Sequence, residues 1–106
     1  MSKSRARGTA FETAVVGFLK ENGFPDAHRN VLNSPLGDIG GVPLVLECKD
    51  HKSMTLAAWV EQAKVSGAKA GTLCAVVHKR AQKNVSESYV TMPLYEYVRL
   101  LAALNA

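Results

Sequence analysis

The chain is poor in the features that would place it outside a cell or across a membrane. Its 106 residues include two cysteines, too few for the disulfide framework of a small secreted domain, which favours a reducing cytosol. Cys48 and Cys74 both lie in apolar, strand-like runs, where a thiol behaves as a small buried hydrophobe. No apolar run reaches the ~20 residues of a membrane span. The basic first residues are followed by no apolar stretch of the kind that makes a leader, so a soluble, unsecreted protein is expected. There is no internal repeat and no low-complexity tract, and neither His28 nor His78 has the spacing of a zinc pair.

Hydrophobic residues make up 47% of the sequence, enough for one compact domain over residues 1–106 with a single small core. The net charge of +4 is concentrated at Lys3, Arg5 and Arg7 and again at Lys79, Arg80 and Lys83. Such clusters suit a polyanion, although an ordinary solvated surface produces them as often.

Apolar Phe11, Ala14, Val15, Phe18 and Leu19 recur at helical spacing, predicting a helix from about Gly8 to Asn22 that stops at Asn22-Gly23. Glu12 sits at the edge of that stripe, where a carboxylate is ordinarily solvated. A polar strand from His28 to Val31 leads into the loop formers Asn33 to Gly37, followed by a strand near Asp38 and another over Val42 to Lys49. Leu56, Trp59, Val60 and Ala63 predict a second helix from Thr55 to Ser66, ending at Gly67. Trp59 could stack on a base, but its register with Leu56 and Val60 favours core or a subunit interface. Thr72 to Val77 reads as a central strand and Ser88 to Met92 as another, joined by the polar stretch Lys79 to Ser86. Pro93 then opens a helix carrying Leu94, Tyr97, Val98, Leu101 and Leu104. The order α-β-β-β-α-β-β-α, with one hairpin and one helical crossover, predicts an α/β fold: a central mixed sheet flanked by helices.

The chemistry concentrates between Asp38 and Lys49. Side chains alternate along a strand, so Glu47 and Lys49 project together while Cys48 turns inward. If the chain folds back around Gly40-Gly41, Asp38 reaches the same spot from the neighbouring strand. Alone, Asp38 reads as a turn aspartate and Glu47-x-Lys49 as an ion pair on a strand. Together, on an otherwise hydrophobic hairpin, they point to a site. Mg²⁺ keeps several waters and needs only one or two carboxylates from the protein. Asp38, Glu47 and the backbone carbonyl of Cys48 are the natural ligand set, with Mn²⁺ an acceptable substitute. A divalent ion activates water and stabilises a leaving oxygen, and Lys49 beside it can stabilise developing negative charge. His51 is a further candidate ligand or proton shuttle.

An Asp followed by Glu-x-Lys on the next strand resembles the PD-(D/E)xK nuclease superfamily. The surroundings are similar to the archaeal-type Holliday junction resolvases: Arg7-Gly8, Glu12 four positions after the glycine, Gly23-Phe24 closing the first helix, Arg29 upstream, and Ser34 four positions before Asp38. No proline directly precedes Asp38, since Pro35 lies earlier in the turn. The likeness runs from Arg5 to about Val77. It implies a restriction-endonuclease-like sheet, catalytic roles for Glu12, Asp38, Glu47 and Lys49, a catalytic loop containing Ser34, and a homodimer acting on four-way DNA junctions. Glu12 would touch the metal through water, and Gln62 matches a glutamine of the second helix.

The expectation is therefore a Mg²⁺-dependent, structure-selective DNA endonuclease of the cytoplasm and nucleoid. Lys3, Arg5, Arg7, Arg29, Lys79, Arg80 and Lys83 would contact phosphates, with Lys3 to Arg7 a flexible arm that orders on DNA. Two alternatives stay open: a nuclease of the same superfamily acting on duplex, flap or ends, with a viral or mobile-element origin, and a non-catalytic DNA-binding module on the same fold.

Overall fold

In the computed structural model, which describes residues 2–106, helix α1 (Lys3–Glu21) starts at Lys3 rather than Gly8. The Ser2 hydroxyl accepts the Arg5 N–H at 3.1 Å, a side-chain cap that satisfies an otherwise orphaned helical donor. Lys3 to Arg7, expected as a disordered arm, form the first turns of this helix. The expectation failed because apolar periodicity cannot register a polar helical extension that packs against nothing, whereas the cap can.

Strands β1 (His28–Arg29), β2 (Ile39–Gly40) and β3 (Val45–Lys49) precede helix α2 (Leu56–Ala70), and β4 (Cys74–His78) and β5 (Tyr89–Thr91) precede helix α3 (Leu94–Leu104). They form one five-stranded sheet in the order β1-β2-β3-β4-β5. The β3–β4 pair is parallel and the others are antiparallel, because α2 supplies the crossover that only a parallel pair needs. The chain is thus a mixed α/β fold with the expected element order.

Boundaries differ where local chemistry overrides hydropathy. The first strand ends at Arg29, since Val31 enters a turn whose Asn33 has a left-handed φ of 62°. The third begins at Val45 because Pro43 has no N–H to give a ladder. Helix α2 runs straight through Gly67 and ends at Gly71, which has φ 68°. Gly67 is instead a close-packing residue: a Cβ there would lie 2.9 Å from the Cys74 Cβ on β4.

Helices cover the two sheet faces unequally. On one, Phe11 and Val15 of α1 pack with Ile39, Leu46, Cys48, Ala75 and Val77. On the other, Trp59 and Ala63 of α2 pack with Val45, Cys74 and Val76, so Trp59 is a core residue and not an exposed stacking platform. Both cysteines are buried free thiols. Helix α3 differs: its apolar Leu94, Tyr97, Val98, Leu101 and Leu104 are exposed. No helix among the described residues is long and apolar enough to cross a membrane.

Candidate active site

The β2–β3 hairpin sets Ile39 opposite Leu46, which brings Asp38 level with the outgoing end of β3. The Asp38 N–H donates to the Leu46 carbonyl at 2.8 Å, and the Cys48 N–H donates to Asp38 Oδ2 at 2.7 Å. The carboxylate is thereby pinned to the backbone of the residue that follows Glu47. Asn30 holds the loop from the other side, its side-chain amide donating to the Gly37 carbonyl at 3.0 Å.

Glu47 is 3% exposed, and the Ser66 hydroxyl of α2 donates to its Oε1 at 3.0 Å. Burial first, and the Asp38 charge second, push its carboxyl up to about 7; the Ser66 bond and the Lys49 charge act in the opposite direction. Two residues on, the Lys49 ammonium donates to Gln62 Oε1 at 2.7 Å. Asp38, Glu47, Lys49 and Gln62 therefore lie together where β3 meets α2. Glu47 is not turned outward as strand alternation suggested, because β3 is central and both of its faces are covered.

Glu12 approaches from α1. Its Oε1 accepts the Arg29 Nε–H at 3.0 Å, and both residues line a cleft of about 230 Å³ with Asp38, Asn30 and Arg5. Burial pushes the Cys48 thiol well above its usual range, and the charges of Asp38, Glu12 and Glu47 push it further. Three carboxylates thus act on one buried sulfur. Among the described residues, no three His, Cys, Asp or Glu side chains are close enough to hold a metal between them; the close acidic pair is Asp38 with Glu47.

The remaining candidates separate. Ser34 caps its own turn, its hydroxyl accepting the Leu36 N–H at 3.2 Å. His51 is exposed and leans on Trp59, with ring centroids 5.5 Å apart. The Arg80 guanidinium lies 4.7 Å over the Tyr89 ring and 3.6 Å from Glu87, so it is committed within the protein. Lys79 lies 3.9 Å from Asp50. Lys3, Arg5 and Arg7 project from the exposed start of α1, and Lys83 from the loop after β4.

Sequence reading missed Ser66, yet a signal was there. At positions i, i+4 and i+7 from Trp59, the α2 stripe that buries Trp59 and Ala63 also buries Ser66, and a hydroxyl on a buried stripe requires a polar partner on the strand beneath. Compared with protein-family models, with curated proteins and with solved structures, the chain matches none.

Proposed function

We propose that this protein is a metal-dependent endonuclease that hydrolyses phosphodiester bonds in branched DNA, with four-way junctions as the preferred substrate, and that it works in the cytoplasm as a homodimer. The observation that carries the reading is the abutting pair Asp38 and Glu47 with Lys49 on the same strand. A carboxyl whose ionisation is disfavoured first by burial and then by a neighbouring carboxylate supports a place where a cation is wanted. That donor set fits Mg²⁺, which takes oxygen ligands and needs few of them from protein. Asp38, Glu47 and the Cys48 carbonyl would hold it. When bound, the ion supplies an activated water and neutralises charge at the phosphate.

The chain's own groups do the rest. Gln62 fixes the Lys49 ammonium at 2.7 Å, so a cation is pre-aimed at a phosphoryl oxygen that gains charge as the bond breaks. The Ser66 bond at 3.0 Å and the Cys48 N–H on Asp38 at 2.7 Å each immobilise one oxygen of a carboxylate. The exposed apolar stripe of α3 supports the dimer, since apolar patches of this kind serve as interfaces, and a two-fold pair matches a junction of approximate two-fold symmetry. Arg5 and Arg29 beside the Glu12–Asp38 cleft support phosphate contact.

A second reading, a DNA-binding module that cuts nothing, is favoured by the Glu12–Arg29 ion pair at 3.0 Å, which occupies the third carboxylate. A cleavage panel across four-way junction, flap, splayed arm and linear duplex at fixed salt decides between them. The expected result is Mg²⁺-dependent cutting of the junction, abolished in Asp38→Asn with binding retained. Equal cutting of linear duplex points to a nuclease of broader substrate range. Wild-type protein that cuts nothing with Mg²⁺ or Mn²⁺ installs the binding module.

A further inference from the structure

On the α1 side of the sheet, beyond the ends of the parallel pair β3 and β4, lies a cavity of about 480 Å³. The Lys79 N–H donates to the Lys49 carbonyl at 2.9 Å, so the two strands leave the sheet locked side by side. Its rim carries Arg7, Lys52, Lys79 and Lys83, opposed by a single carboxylate, Asp50. Its walls are apolar: Ala10 and Ala14 from α1, Ala81 and Val85 from the chain after β4, and the edge of Phe11. His51, bordering it, adds an aromatic ring.

We propose that this cavity receives an unpaired nucleotide of a DNA strand, its phosphate on the rim and its base against the apolar wall; this rests on the DNA-acting reading above. Three observations carry the assignment. An excess of positive charge over one carboxylate calls for an anion. The volume falls within the range of about 300–1,000 Å³ typical of small-ligand sites, far more than a bare phosphate fills. The apolar wall gives a base something to lie on, and every base has an apolar face. A paired, stacked duplex presents only phosphates and sugar to such a recess, whereas an unpaired nucleotide can be splayed into it. The cavity therefore recognises discontinuity in a duplex by shape, through Lys52 and Lys83 on two different loops, and lies on the sheet face opposite Glu47 and Lys49.

The test is fluorescence anisotropy without divalent metal, so that binding is read apart from cutting. A labelled duplex with one unpaired thymidine is compared with the same duplex fully paired. Wild type is expected to bind the bulged duplex about tenfold more tightly, the scale of one stacked base. Lys52→Glu combined with Lys83→Glu should bring the ratio to one. Ala10→Leu, which leaves every charge in place and adds bulk to the wall, should do the same, and thermal melts confirm that each variant is folded. Lys20→Glu, at the far end of α1, should leave the ratio unchanged. A wild-type ratio of one, or a ratio that survives both the double charge reversal and Ala10→Leu, overturns the proposal. A preserved ratio in a protein that cuts nothing with Mg²⁺ overturns the nuclease reading and leaves the cavity assignment standing.

Discussion

Glu47 and Cys48 are neighbours on one strand, both buried, yet the sheet gives them opposite companions. Glu47 faces α2 and finds Ser66, Asp38 and Lys49; Cys48 faces α1 among Phe11, Val15 and Ile39. Burial disfavours the charged form of each. The carboxyl has a hydroxyl donor and a nearby ammonium that recover part of the cost, whereas the thiol meets the charges of three carboxylates and remains neutral. One face of the strand therefore gives its buried group polar partners and the other does not, and burial, reinforced by the acidic cluster, makes Cys48 an unreactive packing residue.

The largest effect tests the charged face directly. Glu47→Gln is expected to raise the melting temperature at pH 8 and, on the proposed nuclease reading, to lower cleavage by about 10³-fold. The sign follows from the folded carboxyl at about 7 against an ordinary value of 4.5. The fold favours the protonated form, so that stability is fully present at low pH and is lost as pH rises from 4.5 through 7. Wild-type melting temperature should fall between pH 5 and pH 8, and, on the proposed metal-dependent reading, Mg²⁺ at pH 8 should restore it by binding the folded form. The Gln variant should show neither change. A flat wild-type profile would break the comparison between the two faces.

The next effect contrasts a helical glycine pressed against the sheet with one that meets open space. Gly67→Ala on α2 drives a methyl into the Cys74 Cβ at 2.9 Å and should cost about 1–3 kcal/mol in urea unfolding. Gly17→Ala on α1 meets nothing within 4 Å and should stabilise by about 0.5–1 kcal/mol, the helical penalty of glycine. A stabilising Gly67→Ala would show that α2 can move off β4 to admit the methyl. The smallest effect concerns the start of α1: Ser2→Ala should cost about 0.5–1 kcal/mol, visible as faster amide exchange over Lys3 to Arg7.

The element order was legible because each helix carried a 3.6-residue apolar stripe and each central strand a continuous β-branched or apolar run. The Asp38–Glu47 convergence was legible for a different reason. Hairpin register follows from the glycines at the turn and the apolar strand beside it, and alternation then selects which side chains meet. What could not be read were effects of tertiary proximity. Gly67 resembles a helix stop until Cys74 lies against it, and Glu47 looks solvated until α2 closes over it. The Glu12–Arg29 pair joins positions separated by a loop whose path no periodicity describes. The basic rim around Lys52 is assembled from three separate segments, so no local window contains it.

The capped beginning of α1 changes how the molecule would meet a polyanion. A loose tail must surrender backbone freedom on contact, at about 1–2 kcal/mol per residue, and its charges arrive in no fixed arrangement. Because Ser2 caps the first turn, Arg5 and Arg7 are already set at the spacing of a helix. An encounter with a polyanion would then be a docking of prearranged charges, with its ordering cost met during folding rather than at the moment of capture.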